Sequence, residues 1–244
     1  MVVEERALAT ADYLFRLEKV TKEFSGKQGR VKAIEDITLD IRKGEFVIIV
    51  GPSGAGKSTL LNIIAGMDRP TKGRIIYSGR DYGDLDEEKL AEIRREKFGF
   101  IFQAFNLIDC LTAFENVTMA AIPTDLPLKE IFARADELLA EMKLLGKKHR
   151  YPKQLSAGEQ QRIAIARALI NQPEVLFCDE PVAQLDEKMA DKILSDLVEI
   201  NKAGTTVILA TASNTVANKL RRYATKIVHI EYGKIQNIET LRRV

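Results

Sequence analysis

Nine consecutive residues at positions 51–59, GPSGAGKST, combine three glycines with a lysine and hydroxyl side chains. They follow the apolar run Phe46–Val50 and precede a second apolar segment, so the loop is expected to join a buried strand to a helix. Glycines let the backbone turn its N–H groups towards an anion, and the helix adds its positive end. This pattern predicts a phosphate-binding loop in which Lys57 neutralises terminal phosphates and Ser58 ligates Mg²⁺. The predicted nucleotide contacts in this loop are Gly51, Pro52, Ser53, Gly54, Ala55, Gly56, Lys57, Ser58 and Thr59.

A second apolar run, 175–178, ends in two carboxylates, Asp179 and Glu180. Ligands bind at the carboxyl ends of strands in an open parallel sheet, so we expect these acids to face the phosphate loop. Asp179 would then support Mg²⁺ and its waters, and Glu180 would polarise the attacking water as general base. A pair of solvated acids at a strand end is the alternative, and the phosphate loop upstream makes it the weaker one.

The segment LSAGEQQR at 155–162 precedes an amphipathic helical pattern. Ser156 followed three residues later by Glu159 forms a capping box, which by itself explains both residues as a helix start. Gln103 follows the apolar run 98–102, and on its own a glutamine at a strand end indicates nothing.

Together with the phosphate loop and Asp179–Glu180, Gln103 and the 155–162 segment resemble the motifs of the ATP-binding cassette (ABC) ATPases. The motifs occur in family order at family-like spacing, from about Leu14 to Ile235. Within that family the chain is most similar to the lipoprotein-releasing and macrolide-exporting group (LolD- and MacB-like), through segments such as FGFIFQAFNL at 98–107 and LTAFENV at 111–117. The resemblance implies ATP and Mg²⁺ as ligands and ATP hydrolysis as the activity.

The resemblance also implies roles for individual residues. Gln103 would touch Mg²⁺ and the attacking water, so the implied metal ligands are Ser58, Gln103 and Asp179, and the implied catalytic residues are Glu180 and Gln103. Phe24 matches the aromatic residue that stacks on adenine, although a lone phenylalanine is more often a core residue. The residues implied to contact the γ-phosphate bound to a second subunit are Ser156, Ala157, Gly158 and Glu159.

The sequence departs from the family's motifs most clearly at one position. A histidine is expected after the apolar run 207–210, and Ala212 stands there instead. His149 and His229 match no family position, whereas Thr211 or Ser213 could supply a substitute hydroxyl. We therefore expect ATP binding with slow hydrolysis. Milder departures are Ala157 for a glycine, Glu159 for a glutamine and Val182 for a threonine.

The implied partners are a second copy of the chain or a homologous subunit, in an ATP-sandwich dimer, and an integral-membrane permease. The permease would dock in a groove near Ala104–Phe114, with exposed Phe105 and Leu107 receiving its coupling helix. The implied location is cytoplasmic, peripheral on the inner face of the cell membrane. An ATP-gated switch without transport, coupled to a membrane complex as in cell division, remains the alternative.

The elements that must position these motifs alternate between strands and helices, which predicts an α/β fold. We expect this fold to consist of a P-loop NTPase core with a mainly parallel sheet, an antiparallel β lobe and an inserted helical subdomain. Strands are predicted near 14–17, 37–41, 46–50, 74–77, 98–102, 175–178, 207–210 and 227–230. Helices are predicted at 57–65, 87–96, 128–144, 157–170, 188–202 and 216–222. The expected organisation of residues 1–244 is a single ABC ATPase domain, with a catalytic core of about 14–79 and 152–244 and a helical subdomain of about 80–151.

Composition narrows the class of protein. The 244 residues carry a net charge of +2, which disfavours broad nucleic-acid binding, so no nucleic-acid partner is expected. No apolar run approaches the roughly 20 residues that span a bilayer, and residues 1–11 lack the apolar core of a secretory signal. Cys110 and Cys178 are expected as buried small apolar residues rather than a disulfide.

Overall fold

A computed structural model describes residues 13–26 and 29–241. The chain divides into two compact units: the first comprises the residues up to Leu90 together with those from Asn201 onward, and the second comprises Ala91–Ile200. The predicted division at about 80 and 152 stays a prediction. The prediction that residues 1–11 are not a secretory signal concerns residues outside the described ones. Among the described residues, none of the helices has the length and apolar character that crossing a membrane requires.

Strands and helices alternate along the chain. The strands are β1 (Phe15–Gly26), β2 (Gly29–Ile41), β3 (Phe46–Val50), β4 (Lys72–Tyr77), β5 (Arg80–Asp81), β6 (Phe98–Ile101), β7 (Val175–Asp179), β8 (Thr206–Thr211), β9 (Lys226–Glu231) and β10 (Lys234–Thr240). The α-helices are α1 (Lys57–Ile64), α2 (Glu87–Lys97), α3 (Ala113–Thr118), α4 (Leu128–Glu141), α5 (Ala157–Leu169), α6 (Glu187–Lys202) and α7 (Asn214–Leu220), with short 3-10 turns at Tyr82–Asp84, Leu145–Lys147 and Pro152–Gln154.

The first unit contains two sheets. One is antiparallel, with the order β2–β1–β4–β5. In the other, β3 lies between β9 and β8 and runs parallel to both, and β10 pairs antiparallel with β9. All five residues of β3 are buried, as expected of a parallel strand covered on both faces. The largest fully buried side chains of this unit include Phe15, Leu17, Ile37, Ile41, Phe46, Ile48 and Ile63.

The second unit contains the parallel pair β6 and β7, with Ile101 opposite Cys178, and the complete helices α3, α4 and α5. Eight of the thirteen residues of helix α5 are buried, among them Ile163, Ile165 and Gln161. Such a helix belongs to the interior of its unit rather than to the surface.

The predicted fold class, α/β with an antiparallel β lobe, is confirmed. Each predicted strand and helix is present, with helix ends shifted by at most three residues. The short helix α3 and the strands β5 and β10 were not predicted. A capping box signals α3 in the sequence, because Thr112 and Glu115 have the required spacing and bond reciprocally in the structure.

The cysteine prediction is correct for one residue and wrong for the other. Both cysteines are free thiols, and Cys178 is completely buried in β7, where burial raises the pKa of its thiol. Cys110, however, is exposed. It lies in the loop between β6 and α3, and a connecting loop runs over the surface because its backbone polar groups need water.

Candidate functional site

The phosphate loop connects β3 to α1 in the first unit, as the sequence predicts. Its glycines are required by their surroundings: a Cβ on Gly51 would lie 2.0 Å from the Ile230 carbonyl oxygen, and one on Gly56 would lie 2.4 Å from that of Ala33. Gly56 is also the N-cap of α1, with a φ of 98° that other residues rarely adopt. The loop therefore depends on close backbone approach at both of its ends.

The side chain of Lys57 folds back over this loop. Its Nζ donates to the carbonyl oxygens of Gly51 and Pro52, each at 2.9 Å, and the residue is only 6% exposed. Ser53 and Ser58 are exposed on the same loop. The loop thus presents a buried ammonium group, exposed hydroxyls and the amino end of α1, a combination suited to an anion with several phosphates.

The end of β8 borders the phosphate loop, because β3 and β8 are parallel with Val50 opposite Thr211 and the Gly51 N–H donates to the Thr211 carbonyl. The exposed Ala212 follows directly. Both hydroxyl oxygens that were considered as substitutes for a histidine accept hydrogen bonds from backbone N–H groups. Thr211 Oγ1 accepts from the Ser213 N–H at 3.1 Å, and Ser213 Oγ accepts from the Val216 N–H as the N-cap of α7.

A cavity of about 610 Å³ opens beside this junction, and its walls include Gly51, Pro52, Ala212 and His229. His229 lies on β9 directly opposite Val50, and its Nε2 is 2.7 Å from Glu239 Oε1. Hydrogen bonds from Arg221, and then from His229, hold the pKa of Glu239 below its ordinary value. Sequence analysis missed this histidine, because only the parallel register of β9 and β3 brings it to the loop.

Phe24 lies on β1 in the same unit and is 46% exposed. It pairs across the β1–β2 hairpin with Val31, two residues before Ala33, whose carbonyl faces Gly56. The strand spacing of about 5 Å, the rise of about 3.4 Å per residue and the Ala33–Gly56 contact together place its backbone within about 15 Å of the phosphate loop. Lys22 Nζ lies 5.1 Å from the centre of the ring. An exposed aromatic ring at this distance is available for stacking on a base.

The carboxyl ends of β6 and β7 meet at one edge of the second unit, because the strands are parallel and in register. Gln103 lies two residues beyond β6 and is exposed, and Asp179 is the last residue of β7. Asp179 Oδ1 is buried and has no hydrogen-bond partner among the described residues. Glu180 follows with a φ of 48°, a strained conformation for a residue with a side chain.

An orphaned buried carboxylate oxygen is costly unless a cation or donor arrives to bind it. The unpartnered Asp179 Oδ1 therefore fits a metal ligand, and Gln103, beyond the neighbouring strand of the same unit, carries an amide oxygen of the hard type that Mg²⁺ prefers. Strain at Glu180 is also typical of a functional position.

The 155–162 segment forms the start of α5, with Ser156 as its extended N-cap. The Ser156 N–H donates to Glu159 Oε2 at 3.0 Å, and Lys147 Nζ forms an ion pair with Glu159. The hydrogen bond from Lys147, and then the one from Ser156, lower the pKa of the Glu159 carboxyl. Ser156 and Ala157 are exposed, whereas Gly158 is buried against Met189, whose Cγ would lie 2.7 Å from an added Cβ.

The prediction that Phe105 and Leu107 are exposed in the loop after Gln103 is wrong. Phe105 is not exposed: it is buried, and Leu107 is half-buried, whereas Ile108 is 37% exposed. Phe105 and Asn106 both have positive φ values, 56° and 50°, which reverse the chain and turn the phenyl ring into the unit. The exposed apolar side chain of this loop is therefore Ile108.

Comparisons with known proteins show the family. The family model described as "ABC transporter" matches residues 34–183. An uncharacterised ABC transporter ATP-binding protein of Thermotoga maritima is 40% identical over 93% of this chain and 95% of its own length. The macrolide export ATP-binding/permease protein MacB of Hyphomonas neptunium is 43% identical over 91% of this chain, which spans only 34% of that relative's length.

Solved structures are similar as well. The ATP-binding cassette MJ0796, described as a dimer in a post-hydrolysis state bound to ADP and Pi, matches with a TM-score of 0.85 and 40% identity, over 93% of this chain and 99% of that one. The cbiO1 structure from Clostridium perfringens, part of the ABC transporter complex cbiONQ, matches with a TM-score of 0.81 and 29% identity, over 94% and 89% of the two chains. With the phosphate loop, the two strand-end carboxylates and the capped helix α5 in family order, the chain belongs to the ABC transporter family, as an ATP-binding cassette.

Proposed function

We propose that this chain is the ATP-binding and ATP-hydrolysing subunit of an ABC transporter. The main support for the proposal is the geometry of the phosphate loop. The buried Lys57 side chain donates hydrogen bonds to carbonyls of this loop, and glycines of the loop pack closely against neighbouring backbone. On nucleotide binding, Lys57 exchanges the carbonyls of Gly51 and Pro52 for the terminal phosphates of ATP. Phe24 stacks on the adenine.

Three side chains would hold Mg²⁺: Ser58, Gln103 and Asp179. A Mg²⁺ ion held by these residues would offset the negative charge that develops on the phosphates during transfer. The buried and unpartnered Oδ1 of Asp179 supports its place in this set. Glu180 accepts a proton from the attacking water, and Gln103 orients that water.

The partner in this reaction is a second copy of the chain or a homologous subunit. Ser156 and Ala157 are exposed at the amino end of the thirteen-residue helix α5, a position suited to a phosphate group bound elsewhere. We propose that this end, with Gly158 and Glu159, contacts the γ-phosphate held by the other subunit. ATP then joins the two subunits head to tail.

The output of the dimer is motion of an integral-membrane permease. The relative MacB is an ATP-binding/permease protein by name, and this chain spans about a third of its length. Exposed Ile108, beside Gln103 in sequence, is the apolar side chain we propose for the permease contact, in place of Phe105. The chain would then lie at the cytoplasmic face of the cell membrane.

Hydrolysis is proposed to be slow. The methyl side chain of Ala212 cannot donate a hydrogen bond to the γ-phosphate, and the neighbouring hydroxyl oxygens of Thr211 and Ser213 accept hydrogen bonds from backbone N–H groups. The Ala212→His variant is expected to turn over ATP at least tenfold faster, as judged by phosphate release. Equal rates in the two proteins would show that this position does not limit turnover.

Dimer formation provides the main test. Glu180→Gln is expected to bind ATP without hydrolysing it and to elute from gel filtration as a dimer in ATP and as a monomer without it. Glu180→Gln combined with Lys57→Ala is the matched control and should stay monomeric. If the Glu180→Gln protein remains a monomer at saturating ATP, the ATP-sandwich proposal is wrong.

A further inference from the structure

The loop that follows Gln103 holds two consecutive residues in a costly backbone conformation. Phe105 and Asn106 both lie in the left-handed region, with φ values of 56° and 50°. Each such residue is strained when it carries a side chain, so the pair persists only if its surroundings hold it in place. The direction in which the loop leaves Gln103 therefore depends on whatever holds this pair.

Arg167 of helix α5 makes that contact. Its Nη2 donates to the carbonyl oxygen of Phe105 at 2.7 Å, and its Nη1 donates to the carbonyl oxygen of Asn106. The planar guanidinium fork binds two adjacent carbonyls at once, which the single ammonium group of a lysine cannot reproduce. Arg167 is half-buried, and desolvation lowers the pKa of its guanidinium.

The same helix also holds the chain next to Glu180. Gln161 is completely buried, and its Nε2 donates to the carbonyl oxygen of Pro181 at 2.6 Å. Gln161 and Arg167 are six residues apart, about 9 Å along the helix axis. One rigid helix therefore carries contacts to the segments that follow both Gln103 and Glu180, and its exposed amino end is the part proposed to meet a second subunit's nucleotide.

We propose that Arg167 is a positioning residue: by clamping the carbonyls of Phe105 and Asn106, it sets the orientation of Gln103 towards Mg²⁺ and the attacking water. The proposal rests on the ATPase function proposed above. Arg167 contacts no reacting atom, so its loss acts through the loop. ATP held by the phosphate loop alone should bind as before, whereas the part of binding and catalysis that requires Gln103 should weaken.

The test compares Arg167→Lys with Arg134→Lys. Arg134 is a matched control because it is a half-buried arginine of the same unit that pairs with Glu130 within α4 rather than with the loop. For Arg167→Lys we expect kcat to fall on the order of tenfold to a hundredfold, because a small misplacement of a catalytic group has effects of this size. The KM for ATP in Mg²⁺ should rise with the loss of the Mg²⁺-dependent part of the affinity, and Arg134→Lys should match the wild type in both constants.

A second measurement is independent of turnover. ATP affinity is measured by calorimetry with Mg²⁺ and with EDTA, and Mg²⁺ is expected to tighten binding in the wild type. Arg167→Lys should lose most of this tightening while its affinity in EDTA stays within twofold. A purely structural role would weaken both affinities together, along with the melting temperature.

Mobility of the loop provides a third measurement. Cys110 is exposed in the same loop and Cys178 is buried, so a thiol-specific spin label attaches at Cys110. We expect faster label motion in Arg167→Lys than in the wild type or Arg134→Lys. If kcat, the Mg²⁺-dependent affinity and label motion in Arg167→Lys all equal those of the wild type, the proposal is overturned. It is likewise overturned if affinity in EDTA falls as much as affinity in Mg²⁺. A wild-type protein that binds no ATP would instead refute the proposed function itself.

Discussion

Asn116 fastens the loop between β6 and α3, and its removal should be among the more damaging single substitutions in the second unit. The side chain is completely buried. Its Oδ1 accepts from the Ile108 N–H at 2.7 Å, and its Nδ2 donates to the carbonyls of Ile108, Leu111 and Thr112 at 3.1, 3.0 and 3.0 Å. One amide group thus satisfies four backbone atoms of the loop.

The size of the effect follows from about three full hydrogen bonds, because the two N–H hydrogens of the amide are shared among three carbonyls. Each contributes about 1 kcal/mol net, and water can reach part of this exposed loop after the change, so Asn116→Ala should lower the free energy of unfolding by about 2–4 kcal/mol. For a chain of 244 residues, an unfolding entropy of about 2.1 cal/mol/K per residue converts this loss into a decrease in melting temperature of about 4–8 °C.

Calorimetric or circular-dichroism melting measures the change. Asn218→Ala, at an exposed position of α7, is the control and should stay within about 0.5 kcal/mol of the wild type. Asn116→Asp keeps the acceptor for the Ile108 N–H but faces three carbonyls with oxygen instead of a donor, so it should be destabilised at neutral pH too. If Asn116→Asp melted with the wild type at pH 7, the hydrogen bonds would not be what holds the loop.

Three further outcomes are expected. Hydrogen bonds lower the pKa of Glu159 in the folded chain, so its contribution to stability is present above about pH 4.5 and is lost as the pH falls through the folded pKa. Wild-type stability should therefore drop more steeply between about pH 5 and 3 than that of Glu159→Gln. Urea unfolding that gives the two proteins the same pH dependence would contradict this. A maleimide should modify only Cys110 in the native protein, with Cys178 reacting after denaturation, and mass spectrometry showing two native modifications would refute this. Gly56→Ala should lower the free energy of unfolding by at least about 1–3 kcal/mol and abolish ATP binding, because Gly56 has a φ of 98° and a carbonyl oxygen would lie 2.4 Å from the new Cβ. The control Gly146→Ala places its Cβ in open space, so urea unfolding and ATP titration should both give wild-type values.

Local sequence determined much of what the structure contains. The run Phe46–Val50 and the glycine-rich loop after it predict strand, turn and helix start, because each of these depends on residues only a few positions apart. The reciprocal spacing of Ser156 and Glu159 likewise predicts the first residue of α5. The family resemblance, the alternation of elements and the position of Ala212 after β8 could all be read in this way.

Other features depend on contacts between residues far apart in the chain, and local patterns carry no information about these. Phe105 was expected at the surface, but a contact with Arg167, 62 positions away, accompanies its left-handed backbone and its burial. His229 borders the cavity beside Ala212 only because β9 pairs in parallel with β3.

The sequence by itself thus determined the family, the order of the elements and the position of the phosphate loop, since motifs of this kind depend on their own loop and the helix that follows it. Tertiary structure decided how the loops are held: the Ala33 carbonyl packs against Gly56, and the Arg167 guanidinium binds the carbonyls of two strained residues. The physical reason is that backbone strain and buried polar groups are stable only when distant segments supply their partners.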